Sequence, residues 1–238
     1  MKEHIHTIPI LEALRNPGSC PFCMIQRKLD KDAVDFIMGS AYMEEDIRNK
    51  TDDLGFCAGH LRKIYAIQNR LGLALLLHTH FKKIQKNMEV YKNFETPVGI
   101  FKKSESTVVK LARLVDDQQG RCYLCEKVEG TFKQYVDTFF YMWPREKEMS
   151  LLVQSLPGFC LPHYGMLIGA AEPALNKKHL KDFITTVVYV QQKVMQKLEG
   201  DLEWFIQKFD YRNTNASWRN SKDALARAMA MLKGVIEE

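Results

Sequence analysis

The six cysteines of this 238-residue chain all lie in two short motifs, and each motif occurs twice. The first copy has Cys-x-x-Cys at residues 20–23 and Gly-Phe-Cys-x-x-His at 55–60, and the second copy has the same motifs at 122–125 and 158–163. The Cys-x-x-Cys motifs are 102 positions apart and the Gly-Phe-Cys-x-x-His motifs are 103 apart. Ligand-type residues that recur at offsets differing by a single-residue insertion predict a duplicated structural unit.

Apolar residues outside the motifs recur at the same offset, so the duplication extends over most of the chain. We predict two tandem helical repeats that are each stapled by a metal ion, followed by a C-terminal extension. The predicted divisions are a first repeat at 1–96, a linker at 97–103, a second repeat at 104–200 and an aromatic-rich helical extension at 201–238. Pro97 supports the linker, because proline interrupts regular structure.

Apolar residues follow both Cys-x-x-Cys motifs at spacings of three and four, which is typical of helices. We predict a helix that leaves each motif, a break at Gly39 or at Pro144, and a helix that returns to the Cys-x-x-His. Long helices are predicted over about 61–91 and 174–209. Because no alternating pattern typical of strands occurs, the predicted fold class is all-α.

Each Cys-x-x-Cys and Cys-x-x-His pair supplies three thiolates and one imidazole, which is a standard tetrahedral ligand set for zinc. We expect the two motifs of one repeat to meet and to hold one Zn²⁺ ion, which gives two ions per chain. Four protein ligands leave no coordination position for water, so such sites are structural. The predicted metal ligands are Cys20, Cys23, Cys57, His60, Cys122, Cys125, Cys160 and His163.

Other interpretations of the cysteines stay open. An iron–sulfur cluster with the same ligands is an alternative, because motif spacing separates it poorly from zinc. Thiol–disulfide chemistry also suits a Cys-x-x-Cys pair, although that motif then usually accompanies an α/β fold. Buried thiols without a metal are a third alternative. The remaining histidine pairs, His4 with His6 and His78 with His80, are weaker ligand candidates.

The formal net charge of +5 is too small to indicate a nucleic-acid partner by itself. The segment 81–113 is locally basic, so a nucleic-acid-associated regulator is one alternative function. A solvated helix face explains such dispersed lysines equally simply. The basic residues of this segment are Lys82, Lys83, Lys86, Lys92, Lys102, Lys103, Lys110 and Arg113.

The sequence contains no phosphate-binding glycine loop, nucleophile elbow or His-Glu-x-x-His motif, and no residue receives a predicted catalytic role. The longest strongly apolar stretch, 71–77, is too short to span a bilayer. The first residues lack the apolar core of a signal peptide, so we expect a cytoplasmic location. The favoured function is a non-catalytic interaction or regulatory scaffold with an unidentified protein partner, and a thiol or metal redox sensor is a further alternative.

The order of several motifs resembles an uncharacterised bacterial family found in Gram-positive anaerobes. The resemblance is carried by Cys-Pro-Phe-Cys, Tyr42-Met-Glu-Glu-Asp, both Gly-Phe-Cys-x-x-His motifs and Asp201-Leu-Glu-Trp-Phe, and it covers nearly the whole chain. It implies no activity, because none is assigned to that family. It does imply that the cysteine and histidine set is the defining feature of the family.

Overall fold

A computed structural model of the chain describes residues 7–16, 18–92 and 106–234. These ranges contain eleven α-helices, two short 3₁₀ segments and no strand, which confirms the predicted all-α class. None of the described helices is both long and apolar enough to cross a bilayer. The predictions that lie outside the described residues concern the linker 97–103, Lys102, Lys103, His4 and His6.

The helices are α1 (Thr7–Arg15), α2 (Pro21–Met38), α3 (Glu45–Leu54), α4 (Ala58–Ala66), α5 (Arg70–Glu89), α6 (Thr107–Gly120), α7 (Tyr123–Met142), α8 (Met149–Gln154), α9 (Leu161–Ala174), α10 (Lys177–Gln207) and α11 (Ala224–Lys233). The 3₁₀ segments are Ala41–Met43 and Tyr211–Asn213. Both predicted breaks are confirmed, since α2 ends just before Gly39 and α7 ends just before Trp143 and Pro144.

The prediction of one continuous helix over 61–91 is wrong, because the chain forms two helices there, α4 and α5, with a break at residues 67–69. Gln68 adopts a φ of 65°, which ends α4. The Asn69 side chain then caps α5 by accepting a hydrogen bond from Gly72 N at 2.9 Å, and its Nδ2 donates to Met38 O at 2.9 Å. An asparagine cap therefore outweighs the helical periodicity here.

The chain divides into two compact units, which we name by their place in the sequence. The terminal unit comprises residues 1–28 and 131–238, and the central unit comprises 29–130. Each predicted repeat, 1–96 and 104–200, contributes to both units. The repeats stay a prediction, because they describe internal sequence similarity whereas the units group residues by contact.

The core of the central unit is built from aliphatic side chains, and α3 packs there against α5. Ile37, Ile64, Leu76 and Leu124 come from α2, α4, α5 and α7, and each is fully buried. Burying one such side chain stabilises the fold by about 1.5–3 kcal/mol. These contacts fix α4 and α7, whose first turns carry a Cys-x-x-His and a Cys-x-x-Cys motif.

The core of the terminal unit is aromatic, and α10 packs there against α8, α9 and α11. Phe22, Phe139, Phe159 and Phe183 are each less than 2% exposed. Phe22 and Phe139 meet edge to face, with ring centroids 5.3 Å apart. Phe22 lies inside a Cys-x-x-Cys motif and Phe159 directly precedes Cys160, so the motifs themselves supply part of the core.

Candidate metal centres

The eight predicted ligands form two groups of four. Cluster A consists of Cys20, Cys23, Cys160 and His163, and cluster B of Cys57, His60, Cys122 and Cys125. Cluster A lies within the terminal unit and cluster B within the central unit. Each cluster combines the Cys-x-x-Cys of one predicted repeat with the Cys-x-x-His of the other. The expectation that the two motifs of one repeat meet is therefore wrong.

Helix length explains why the motifs of one repeat do not meet. α2 has 18 residues and spans about 27 Å, whereas the returning helix α3 has ten and spans about 15 Å. The chain therefore comes back only to the middle of α2, where His60 Nε2 lies 2.7 Å from Asp30 Oδ1. In the second repeat the difference is larger, because α7 has 20 residues and α8 has six.

All four motifs lie at helix N-termini. The first cysteine of each motif directly precedes a helix, and its carbonyl accepts the first helical hydrogen bond at 2.8–3.2 Å. These cysteines are Cys20 before α2, Cys57 before α4, Cys122 before α7 and Cys160 before α9. The second ligand follows in the first turn, so both side chains point the same way. The positive end of a helix dipole stabilises thiolate charge, and each cluster receives two such ends.

The interatomic distances in cluster A fit a single tetrahedral ion. His163 Nδ1 lies 3.1 Å from Cys160 Sγ, 3.3 Å from Cys23 Sγ and 3.7 Å from Cys20 Sγ. The Sγ atoms of Cys23 and Cys160 are 3.5 Å apart. Tetrahedral zinc with ordinary bond lengths needs about 3.8 Å between two sulfurs and about 3.6 Å between sulfur and nitrogen.

Cluster B has the same arrangement. His60 Nδ1 lies 3.2 Å from Cys122 Sγ, 3.3 Å from Cys57 Sγ and 3.4 Å from Cys125 Sγ. The Sγ atoms of Cys57 and Cys125 are 3.8 Å apart. In each cluster all four ligand atoms lie within 4.8 Å of one another, so each set could hold one metal ion.

The two clusters differ in burial. Every ligand of cluster A exposes at most 9% of its surface. In cluster B, Cys122 and His60 are buried, but Cys57 and Cys125 are only half-buried. Thiols that reach the surface can meet dissolved reagents, whereas buried thiols are inert.

A carboxylate supports the histidine of cluster B. Asp30 Oδ1 lies 2.7 Å from His60 Nε2, and Lys63 Nζ donates to Asp30 Oδ2 at 2.8 Å. Burial alone would raise the pKa of Asp30, but the contacts with Lys63 and His60 outweigh it and lower that pKa. An ionised carboxylate at Nε2 directs Nδ1 towards the thiols, as carboxylates that hydrogen-bond a ligand histidine do in zinc sites. No sequence motif marks Asp30, and its role was not predicted.

Cluster A is supported by packing and by an amide side chain. The His163 ring contacts the rings of Phe22 and Phe132, with centroids 6.1 and 5.4 Å away. Gln191 Nε2 donates to Phe159 O at 2.9 Å, and its Oε1 accepts from Phe159 N at 3.0 Å. Gln191 therefore fixes the loop that leads into Cys160, and it was also missed.

His80, a weak ligand candidate by sequence, supports a loop and belongs to neither cluster. Its Nδ1 lies 2.9 Å from Asp52 O. Its ring also packs on Gly55, which has a φ of 60° and where a methyl group would lie 2.8 Å from His80 Nε2. Only glycine suits that position, so the conformation of the Gly-Phe-Cys loop depends on Gly55 and His80 together. His78 is exposed and is likewise not part of a cluster.

Without a metal ion, the thiols and imidazoles share protons. Contact with Cys122 raises the pKa of His60 to about 9, and contact with His60 lowers the pKa of Cys122 to about 6 despite its burial. Burial and the neighbouring Cys122 raise the pKa of Cys125 to about 12. In cluster A, burial opposes charging of His163, but its thiol contacts raise its pKa to about 9. The other buried thiols raise the pKa of Cys20.

The basic segment 81–113 is partly neutralised within the described residues. Lys83 pairs with Asp53 at 2.8 Å, and Lys92 pairs with Glu89 at 2.8 Å. These pairs reduce the charge available to a phosphate backbone, and nucleic-acid binding stays a prediction.

The chain matches a known protein family over its whole length. A model described as a family of unknown function, DUF6062, matches residues 1–238. No curated protein and no solved structure matches the chain. The chain therefore belongs to the DUF6062 family, which confirms the predicted membership of a family without an assigned activity.

Proposed function

We propose that this member of the DUF6062 family is a non-catalytic zinc protein, in which two structural Cys₃His sites stabilise a cytoplasmic interaction or regulatory scaffold. The observation that most supports this proposal is that eight residues from four separate motifs form two groups, in which the ligand atoms are close enough to bind one tetrahedral ion. Each set supplies four protein ligands, which leaves no coordination position for substrate or water. The sites would therefore act on folding and not on a reaction.

The spacing of the ligand atoms favours a single ion over an iron–sulfur cluster. In each set all four atoms lie within 4.8 Å of one another, which suits bonds to one common centre. A polynuclear cluster binds its ligands through several iron atoms and so holds them farther apart. Three soft thiolates with one imidazole are a common ligand set for structural zinc.

The end of α10 supports the role as a scaffold. Ile206, Phe209 and Tyr211 are 70%, 76% and 86% exposed, so several apolar side chains lie in one short stretch of surface. Lys208 Nζ donates hydrogen bonds to three backbone carbonyls within residues 213–216, which holds the following loop in place. Exposed apolar groups on a fixed framework are typical of surfaces that bind protein partners.

The test is elemental analysis of anaerobically purified, untagged protein, together with an absorption spectrum. We expect two zinc ions per chain and no visible absorption. Iron with a broad visible band would replace the proposal with an iron–sulfur function. Metal-free protein with six titratable thiols would overturn it.

A second candidate function, a thiol-based redox sensor, is favoured by the exposure of cluster B. Cys57 and Cys125 are half-buried, and their Sγ atoms are 3.8 Å apart. Hydrogen peroxide would take two electrons from the two thiolates, an S–S bond would form as the O–O bond breaks, and two protons would complete two water molecules. The zinc ion would then leave, because two of its ligands are lost.

Mild peroxide treatment of the zinc-loaded protein tests this second function. A sensor should release one ion per chain and form one disulfide between Cys57 and Cys125, while cluster A keeps its ion. The thiols of cluster A expose at most 9% of their surface, so they should react more slowly and serve as the internal comparison. Retention of both ions and all free thiols would exclude the sensor and leave the structural role intact.

A further inference from the structure

A cavity of about 690 Å³ lies in the terminal unit beside cluster A. Its walls are formed by α10, by α11, by residues 154–160 and by residues 18–20. The volume is in the range of ordinary small-molecule sites, which is about 300–1,000 Å³. Four protein ligands complete cluster A, so the cavity is not needed for the metal ion.

α10 gives the cavity an apolar floor with a cationic edge. Val190, Val194 and Leu198 follow one another at intervals of four, so they lie in one row along the helix, and all three line the cavity. Val190 and Leu198 are buried and Val194 is half-buried. Lys193 and Lys197 form the adjoining row, line the same cavity and are exposed.

The charged side chains that line the cavity are all cationic. No described residue that lines it is an aspartate or a glutamate. Its one arginine, Arg227, is already engaged, since it lies 3.0 Å from both Asp201 and Asp223. Lys193 and Lys197 form no ion pair with any residue in the described part of the chain. Among the described residues, these two lysines therefore form no ion pair at the edge of a mostly apolar space, and Asp201 and Asp223 line an adjoining pocket that Lys197 also lines.

The remaining walls are suited to hydrocarbon. Leu156 and Phe159 come from the segment before Cys160, and Met231 comes from α11. Three thiols of cluster A also line the cavity. With a divalent ion, three thiolates and a neutral imidazole carry a net charge of about −1, which repels an anionic group from the metal side.

We propose that this cavity binds a linear amphipathic carboxylate of medium chain length, such as a saturated fatty acid. The carboxylate pairs with Lys193 and Lys197, and the hydrocarbon chain lies along Val190, Val194 and Leu198. Each methylene that leaves water strengthens binding by about fourfold at most, so affinity should rise with chain length. This inference concerns a site that the proposed zinc function leaves unused.

The test is calorimetric titration of the full, metal-loaded chain with decanoate below its micelle concentration. We expect saturable binding of one decanoate per chain, at least about tenfold weaker binding of hexanoate, and weaker binding of decanol. The double variant K193A/K197A should lose about tenfold in affinity or more. The control K178A/K181A removes the same charge from exposed positions of α10 outside the cavity, and it should bind like the parent protein.

A second pair of variants tests the cavity itself. Ala230→Phe places a larger side chain in the cavity wall and should abolish decanoate binding, whereas Ala226→Phe enlarges an exposed residue of the same helix and should not. Absence of saturable decanoate binding would overturn the proposal. Equal binding of decanol, or equal losses in both lysine variants, would also overturn it. Zinc content is measured on the same samples, so failure here is separate from failure of the metal sites.

Discussion

Gln191 forms hydrogen bonds with both backbone polar groups of Phe159, the residue directly before the candidate ligand Cys160. The preceding Gly158 has a φ of 91°, so the loop has no helical or strand pattern to satisfy these groups. Gln191 is 2% exposed, and water cannot replace it. Helix α10 therefore helps to position Cys160, although α10 itself contains none of the eight candidate metal ligands.

Replacing Gln191 by leucine should destabilise the protein by about 3 kcal/mol, because two buried backbone groups lose their partners. The measurement is urea denaturation of the zinc-loaded protein, followed by the metal content of each sample. Gln192→Leu, at an exposed position of the same helix, is the matched control. A change of less than about 0.5 kcal/mol for Gln191→Leu would contradict the assigned role.

The pairing of motifs can be tested by double substitutions. Cys20→Ala with Cys160→Ala removes two ligands of cluster A, so the protein should lose one ion and keep the other. Cys20→Ala with Cys57→Ala damages both clusters, so both ions should be lost. Elemental analysis distinguishes these outcomes. Tandem sites within each repeat would give the opposite pattern, since Cys20 and Cys57 would then share one ion.

Asp30→Asn should weaken metal binding at cluster B by about 10- to 100-fold, as is typical when a carboxylate that hydrogen-bonds a ligand histidine is lost. The measurement is the rate of zinc transfer from cluster B to a chromogenic chelator. Asp32→Asn changes the same charge at an exposed position of α2 and serves as the control. Equal transfer rates for the two variants would show that Asp30 does not support His60.

The metal-free protein should lose stability as pH rises from about 6.5 to about 9. The folded-state pKa values of His60 and His163 are both raised from 6.5 to about 9, so their contributions are complete below pH 6.5 and are lost as pH rises through 9. The pKa of Cys122 is lowered from 9.0 to about 6, so its contribution grows over the same interval and offsets only one of the two losses. Urea denaturation of chelator-treated protein across this range is the measurement.

Zinc binding to cluster B should strengthen steeply as pH rises from 6.5 to 8.5. Over this interval His60 and Cys125 of the metal-free protein are protonated, because their pKa values are about 9 and about 12. The ion displaces at least these two protons, so affinity should rise by about 100-fold per pH unit. Chelator competition at several pH values gives the slope. A slope below one proton would mean that Cys125 or His60 is not a ligand.

Local patterns in the sequence were enough to predict the fold class and the eight candidate ligands. Apolar spacing predicted α2 and α7, and Gly39 and Pro144 predicted their ends. The pairing could not be predicted in this way, because it depends on how far each returning helix runs. Helix α3 begins only after a 3₁₀ segment and has ten residues, and no sequence motif predicts that length.

The residues that support the two clusters, Asp30 and Gln191, also could not be predicted from the sequence. Asp30 is one of several acidic residues on α2, and only the position of His60 distinguishes it. Gln191 lies in the middle of α10, where a buried glutamine has no characteristic neighbours in sequence. The break at Gln68 and Asn69 was not predicted, because the apolar pattern continues across it. The cap that Asn69 provides for α5 is recognised only in the structure.

The crossed arrangement of the motifs has a consequence for synthesis on the ribosome. Cys20, Cys23, Cys57 and His60 are translated first, and they are the ligands of one repeat and not of one cluster. Cys160 follows Cys23 by 137 positions, which takes roughly 7 to 27 seconds at ordinary translation rates. A nascent chain therefore presents the wrong four candidate ligands before either cluster is complete. If the clusters hold metal ions as proposed, an ion bound early would have to exchange when the second half of the chain emerges.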